Sequence, residues 1–398
     1  LPNPFSFKKY YDSPVIILLL SLQKKIMKKY CILVMLIWSL CSNAQDLNTD
    51  INGYHFTPIK INQKTPVKNQ YKSGTCWIFS THSFLESELL RMGKGEYDLS
   101  EMFIARAGYI QKAENYIHRQ GATSFGQGAE NHDVLNIIGE YGIVPQSVYS
   151  GFPQGQDKPI HGEIESVLKA ICDAMIKVPD GRLSPRWRSV YMGALDGYFG
   201  TPPSNFQYGG KNYNPKSFAQ DLGINPSNYI ALTSFSHHPF YKPFILEMSD
   251  NWSQGQFMNL PVDEMISVVD HAVKNGFTVL WSTDVSEKTF TAKNGLALNP
   301  VQAYEDMDEA DRDSLWKRPG NEKYVSQEER QTGFDNLSTT DDHGMHIVGL
   351  VKDQNGTEYY LVKNSWGTDV NKKTGGYLYA SKAYFRNKTM SVMVHKDA

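Results

Sequence analysis

Two runs rich in β-branched and aromatic residues, His346–Lys352 and Glu358–Asn364, flank Asn355-Gly356 near the end of the chain. Asn-Gly suits a two-residue hairpin turn, so this stretch is predicted to be an antiparallel pair of strands. With Asn355 and Gly356 as the turn, Gln354 faces Thr357, paired positions sum to 711, and His346 stands opposite Ser365, one step from Asn364. A one-residue shift or a bulge then brings an imidazole and a carboxamide directly across from each other. Far upstream, Ile78, Leu85, Leu89 and Met92 recur at offsets of 7, 4 and 3 and Gly93 follows, which predicts a helix whose first turn holds Cys76.

The position of that thiol needs a reason. A lone cysteine is most often a small apolar plug, but "KSGTCW" places this one directly after a polar, glycine-containing loop. Free N–H groups and the positive end of a helix stabilise a thiolate, so Cys76 is expected to have a lowered pKa and to act as a nucleophile. Cys172, in the helical pattern "IESVLKAICDAMI", reads as a buried bystander.

Upstream of both, "MKKYCILVMLIWSLCSNAQD" has the form of an export leader: Met27, basic Lys28 and Lys29, an apolar run from Cys31 to Leu40, and small residues Ser42 to Ala44 before Gln45. Ten apolar residues are too few for a bilayer span, which needs roughly 20. Bulky Leu40 argues against lipid attachment at Cys41, and residues 1–26 read as upstream sequence. The expectation is export to a bacterial periplasm or the medium, with no stable membrane insertion. Removing residues 1–44 takes six lysines and one aspartate from the 40 basic and 42 acidic residues, leaving 34 and 41. The remainder is thus near −7, which speaks against a nucleic-acid partner, and its two cysteines, Cys76 and Cys172, build no disulfide framework.

A nucleophilic thiol needs a base, and the hairpin offers His346. A carboxamide oxygen accepting from one ring nitrogen fixes the tautomer and leaves the other nitrogen for the thiol. "NQYKSGTCW", "GMHIVG" and "KNSWG" resemble the Gln-to-Cys, His and Asn motifs of papain-like cysteine peptidases. "LSEMFIARAGYIQKAENYI", "EYGIVPQSVY", "NGFTVLWSTDV" and "RQTGFDNLSTTDDHGMH" are similar to the bleomycin hydrolase or aminopeptidase C branch, and the likeness runs from about Thr65 to the end. The resemblance implies an α+β fold of two lobes, a helical one opening with the Cys76 helix and an antiparallel β-barrel-like one carrying His346 and Asn364, with a cleft between them. The region from about 151 to 260 is expected to elaborate the helical side and cover part of the cleft. By the same resemblance Cys76 attacks a peptide carbonyl, His346 moves the proton, Asn364 orients it, Gln70 and the Cys76 N–H hold the oxyanion, Trp366 shields the His–Asn bond, and Trp77 supports the thiol. Gly126, Gln127 and Gly128 in "TSFGQGAENHDV", with Met345, are candidates for substrate contact.

Peptides are the expected substrates, no cofactor is implied, and a homo-oligomer is compatible with the sequence. Zinc at His343 and His346 is disfavoured, since strand residues three apart point to opposite faces, and His237-His238 reads as a solvated turn. The bleomycin hydrolase branch uses a C-terminal arm to select substrates with a free amino end. Here only His395 to Ala398 follow "SVMV", a reach of roughly 14 Å. That reach is short for entering the cleft, so the aminopeptidase expected here rests on the likeness of the rest of the chain, with an open-cleft endopeptidase as the alternative and an inactive papain-fold binding protein or an exported metalloprotein as the other classes.

Overall fold

The computed structural model describes residues 49–152, 156–178 and 181–398; the leader pattern and Cys41 lie outside them. The central sheet has eleven strands, seven of which position the site: β1 (Thr57–Ile61), β2 (Tyr229–Thr233), β3 (Val279–Thr283), β4 (His343–Lys352), β5 (Glu358–Lys363), β6 (Tyr377–Ser381) and β7 (Thr389–His395). From one side to the other they run β6-β5-β4-β3-β7-β2, all antiparallel. The far edge of β4 is shared, with β3 pairing to 343–347 and β1 to 349–352. The sheet stays open at both ends, so the barrel-like lobe expected from the resemblance is an open sheet among the described residues.

The hairpin forms as β4 and β5, but not in the register that a two-residue turn dictates. Asp353 N–H donates to the Thr357 carbonyl and the Asp353 carboxylate takes the N–H groups of Asn355 and Thr357, so the loop is longer and Lys352 pairs with Glu358. A bulge between Ile347 and Gly349 then shifts the pairing once more and sets His346 opposite Lys363. Residues 359–363 are buried on both faces, as a central strand covered on each side should be.

Helix α1 (Cys76–Arg91) begins and ends where the periodicity places it, with Met92 as its C-cap and Gly93 at φ 70°. It lies against β4, and α2 (Glu101–His118), α3 (Asn131–Tyr141), α4 (Gly162–Ile176) and α5 (Arg186–Phe199) build the helical core around it. Cys172 is sealed in that core, as expected. The 151–260 region divides in two. Its first half, α4 and α5, stays on the helical side, where Tyr191 Oη donates to the Tyr109 carbonyl. Its second half instead extends the sheet: β2 pairs with β7, and Gln256–Asn259 and Pro243–Ile245 add the outer strands. Between those outer strands a loop carrying Asp250 folds back onto Gly128. Among the described residues no helix is long and apolar enough to cross a membrane.

Candidate active site

The thiol of Cys76 opens α1. Thr75, its N-cap, spends its hydroxyl on Ser73 Oγ at 2.6 Å and makes no side-chain cap. The first-turn amides are therefore not taken up by a cap, and the Trp77 N–H lies on the sulfur. The Gly344 N–H, across the cleft on β4, is a second donor to it. Any side chain at 344 would press on α1, since a Cβ there would stand 2.9 Å from Ser80 Oγ and 3.6 Å from the Cys76 carbonyl oxygen.

The imidazole next to Asn364 is His343, not His346. His343 Nε2 lies 2.7 Å from Asn364 Oδ1, which leaves Nδ1 outside that bond, and Trp366 stacks on the ring at 4.6 Å. His346 points through the opposite face of β4, fully buried, with Nδ1 2.8 Å from Ser83 Oγ and its ring edge-on to Phe84. The bulged register is the physical reason: it carries His346 opposite Lys363, and strand alternation then sends residues 344 and 346 toward α1 and residue 343 toward Asn364. Trp366 thus covers the His343–Asn364 bond rather than one made by His346. The same alternation keeps the two histidines from sharing a metal. It was also the signal in the sequence that separates them.

Gln70 is buried and held at both ends. Its Nε2 donates to the Ser73 carbonyl at 2.8 Å, leaving one N–H of the amide, and its Oε1 accepts from Ser365 Oγ at 2.6 Å. Ser365, which the sequence reading did not single out, also gives its N–H to Asn364 Oδ1 and its carbonyl to the Gln70 N–H.

Burial pushes the Cys76 thiol up to about 11; the Asp341 and Asp250 carboxylates add to that rise, and the Gly344 and Trp77 N–H groups oppose it. This reverses the lowered pKa expected from the helix end alone. Burial likewise draws His343 down to about 4 against the hydrogen bond that its ring donates to Asn364 Oδ1. Burial thus raises the cost of a charge on either group taken alone.

The 126–128 loop is fixed from below. Trp77 Nε1 donates to the Gln127 carbonyl at 2.9 Å, and Lys112 Nζ to the carbonyls of Gly126, at 2.7 Å, and Gly128. The Gln127 side chain bridges Gly74 N–H and Glu165, so it is committed to the scaffold, whereas Gly126 faces open space. Met345 sits in the sheet core at 1% exposure, beside Trp281. The turn at His237 and His238 is more organised than expected: both Nε2 atoms meet the Glu247 carboxylate, at 3.0 and 2.9 Å, with all three groups within 4.8 Å.

Three comparisons bear on this arrangement. The sequence profile of the Peptidase C1-like family matches residues 198–398. Aminopeptidase C of Lactococcus lactis subsp. lactis is 24% identical over 374 residues, covering 84% of this chain and 81% of that protein. Aminopeptidase G of Lactobacillus delbrueckii subsp. lactis is 24% identical over 372 residues, covering 83% and 80%. Among solved structures, PepW from Lactobacillus rhamnosis HN001 superposes with a TM-score of 0.69 at 18% identity, over 97% of this chain and 89% of that one, which is a likeness of fold.

Proposed function

Since this chain belongs to the Peptidase C1-like family, we propose that it is a cysteine peptidase acting at the free amino end of peptides, with Cys76 as nucleophile, His343 as base, Asn364 as its orienting partner and Gln70 in the oxyanion site. The observation that carries the residue assignment is the His343–Asn364 bond under Trp366, on the strand whose next peptide N–H reaches the Cys76 sulfur. The aminopeptidase names of the relatives support the choice of the amino end.

The chemistry follows from that placement. Cys76 Sγ attacks the carbonyl carbon as its proton passes to His343 Nδ1. The oxyanion takes the Cys76 N–H and the second N–H of Gln70 Nε2. Collapse expels the amine, which leaves with the proton from His343, and a thioester remains. Water then attacks it, giving its proton to Nδ1, and the acid departs as Sγ recovers a proton. Removing one oxyanion donor costs roughly 3 kcal/mol. Gln70→Ala should therefore lower kcat about a hundredfold with a much smaller change in KM; an unchanged kcat would remove Gln70 from the oxyanion site.

The endopeptidase reading has one observation in its favour. Lys396 N–H bonds the Asn228 carbonyl, His395 stacks on Phe277, and Arg91, the last residue of α1, lies over the same Phe277 ring. Asp397 thus lies near the end of α1 opposite Cys76, about 20 Å along the helix, and its carboxylate is not at the thiol. Peptide pairs differing only in N-acetylation decide between the readings. The aminopeptidase predicts at least a tenfold loss of kcat/KM on acetylation, and efficient internal cutting of the acetylated peptides would leave an endopeptidase. Export rests on the residue 27–44 pattern, and amino-terminal sequencing of the protein recovered from outside the cell tests it.

A further inference from the structure

We propose that Asp250, Glu130 and Asp341 together bind the α-ammonium group of the substrate beside Cys76, so that carboxylates from three separate segments select peptides with a free amino end. The inference rests on the peptidase reading for its substrate and on independent geometry for its site.

Asp250 comes from the loop between the outer strands and lies on the 126–128 loop. A Cβ at Gly128 would stand only 1.8 Å from its Oδ2, so glycine at 128 leaves the room that this carboxylate occupies. The loop is braced: Asn251 Nδ2 donates to the carbonyls of Leu246 and Gly255 and its Oδ1 accepts the Gly255 N–H. Glu130, the residue before α3, is 1% exposed, and its Oε2 has no hydrogen-bond partner. A buried carboxylate oxygen without a donor is costly unless something arrives to satisfy it. Its neighbour is Asp341, two residues before His343, whose carboxylate acts on it as a like charge.

The charges are one-sided. Glu130 faces Asp341, Asp133 and Asp250, and Asp341 also faces Asp342. The cation facing Asp250 is Lys112, whose ammonium already donates to the Gly126 and Gly128 carbonyls and sits 5.8 Å from the Trp252 ring centre. Burial, with these like charges, lifts Glu130 well above its ordinary value and Asp341 to about 6. An ammonium offers three N–H donors and a positive charge, so it would satisfy the unpartnered Glu130 oxygen and offset these like charges. Position agrees with the chemistry: Asp341 and Asp250 are the two carboxylates whose field reaches the Cys76 sulfur. In a peptide the amino group of the first residue is two bonds from the carbonyl that the sulfur attacks.

The test uses the full chain and one probe pair, a peptide amide with a free amino end and its N-acetyl twin. Binding is measured by calorimetry on Cys76→Ala protein, so no turnover is needed, and kcat/KM is measured on protein with the thiol intact. The expected result is that the free-amine peptide binds at least tenfold more tightly than its twin, and that Asp250→Asn, and separately Asp341→Asn, narrow both the binding ratio and the kcat/KM ratio at least about tenfold. Equal binding of the twins to Cys76→Ala overturns the anchor, and so does a preference that survives in both asparagine variants. Failure of the peptidase reading looks different: no hydrolysis of either twin by the intact thiol enzyme, whatever the binding ratio shows.

Discussion

His343→Ala should lower kcat/KM on a free-amine peptide by about a thousandfold or more, whereas His346→Asn, three residues along the same strand, should keep most of the activity and lose stability instead. Positioned acid–base groups contribute factors of about 10² to 10⁴, and a base that also activates the nucleophile lies at the upper end. His343 holds the nitrogen that Asn364 orients; His346 is enclosed between Ser83 and Phe84, and its loss strands the Ser83 hydroxyl. Cys76→Ala should reduce turnover at least as far as His343→Ala, and combining the two should add little, because they act as one unit. Steady-state kinetics with urea unfolding of the same proteins is the measurement. Near-normal turnover in His343→Ala, or a His346→Asn protein that is folded and inactive, would return the base to His346.

Lys68→Met should cost about 3–5 kcal/mol of stability with little change at the catalytic atoms. Lys68 Nζ meets Asp98 at 2.6 Å, Glu101 at 2.7 Å and Glu86 at 3.0 Å, beneath α1, and Glu86 also takes the Thr65 hydroxyl and the Leu99 N–H. Glu86 and Glu101 are almost fully buried, so removing the cation leaves two carboxylates without it in a low-dielectric setting. Burial alone would raise Glu101, but Lys68 and the His82 ring, 3.8 Å away, outweigh it and hold the carboxyl at about 2, below its ordinary 4.5. A lowered carboxylate pKa adds stability above about pH 4.5, and that contribution disappears as pH falls toward 2. Urea unfolding between those pH values should show the loss in the native chain. In Lys68→Met the slope over that window should be flat or reversed, because burial then acts on Glu101 with no cation against it. A cost under 1 kcal/mol would mean that the network behaves as a surface ion pair.

How far the sequence could be read depended on whether a feature was local. The start of α1 at Cys76 and its stop at Gly93 are local, and each is where periodicity places it; the chain also reverses at Asn355-Gly356, though in a longer loop than the two-residue turn expected. The identity of the base is not, because it hangs on the parity of a register. Replacing a two-residue turn by the longer Asp353–Thr357 loop and adding the bulge near Val348 changed which histidine faces Asn364, although both strands were recognised. The thiol pKa failed for another reason: the helix end is visible in sequence, but the burial and the Asp250 and Asp341 carboxylates that outweigh it come from segments far away. The same distance hid the outer strands at 243–259, which lack a strong alternating pattern and are drawn into the sheet by β2.

On the roles proposed above, Asn364, Ser365 and Trp366 divide three tasks among consecutive residues: one takes the hydrogen bond of the His343 ring, the next holds Gln70, and the third covers the imidazole. Because Ser365 grips Gln70 through both backbone and side chain while donating to Asn364, the tripeptide works as a gauge that sets the spacing between the proton-transfer side and the oxyanion side of the cleft. Those two sides belong to chain segments almost 300 residues apart, and no long-range alignment of the lobes is needed to bring them to common tolerance. One residue inserted or deleted within the tripeptide would therefore disturb all three contacts together.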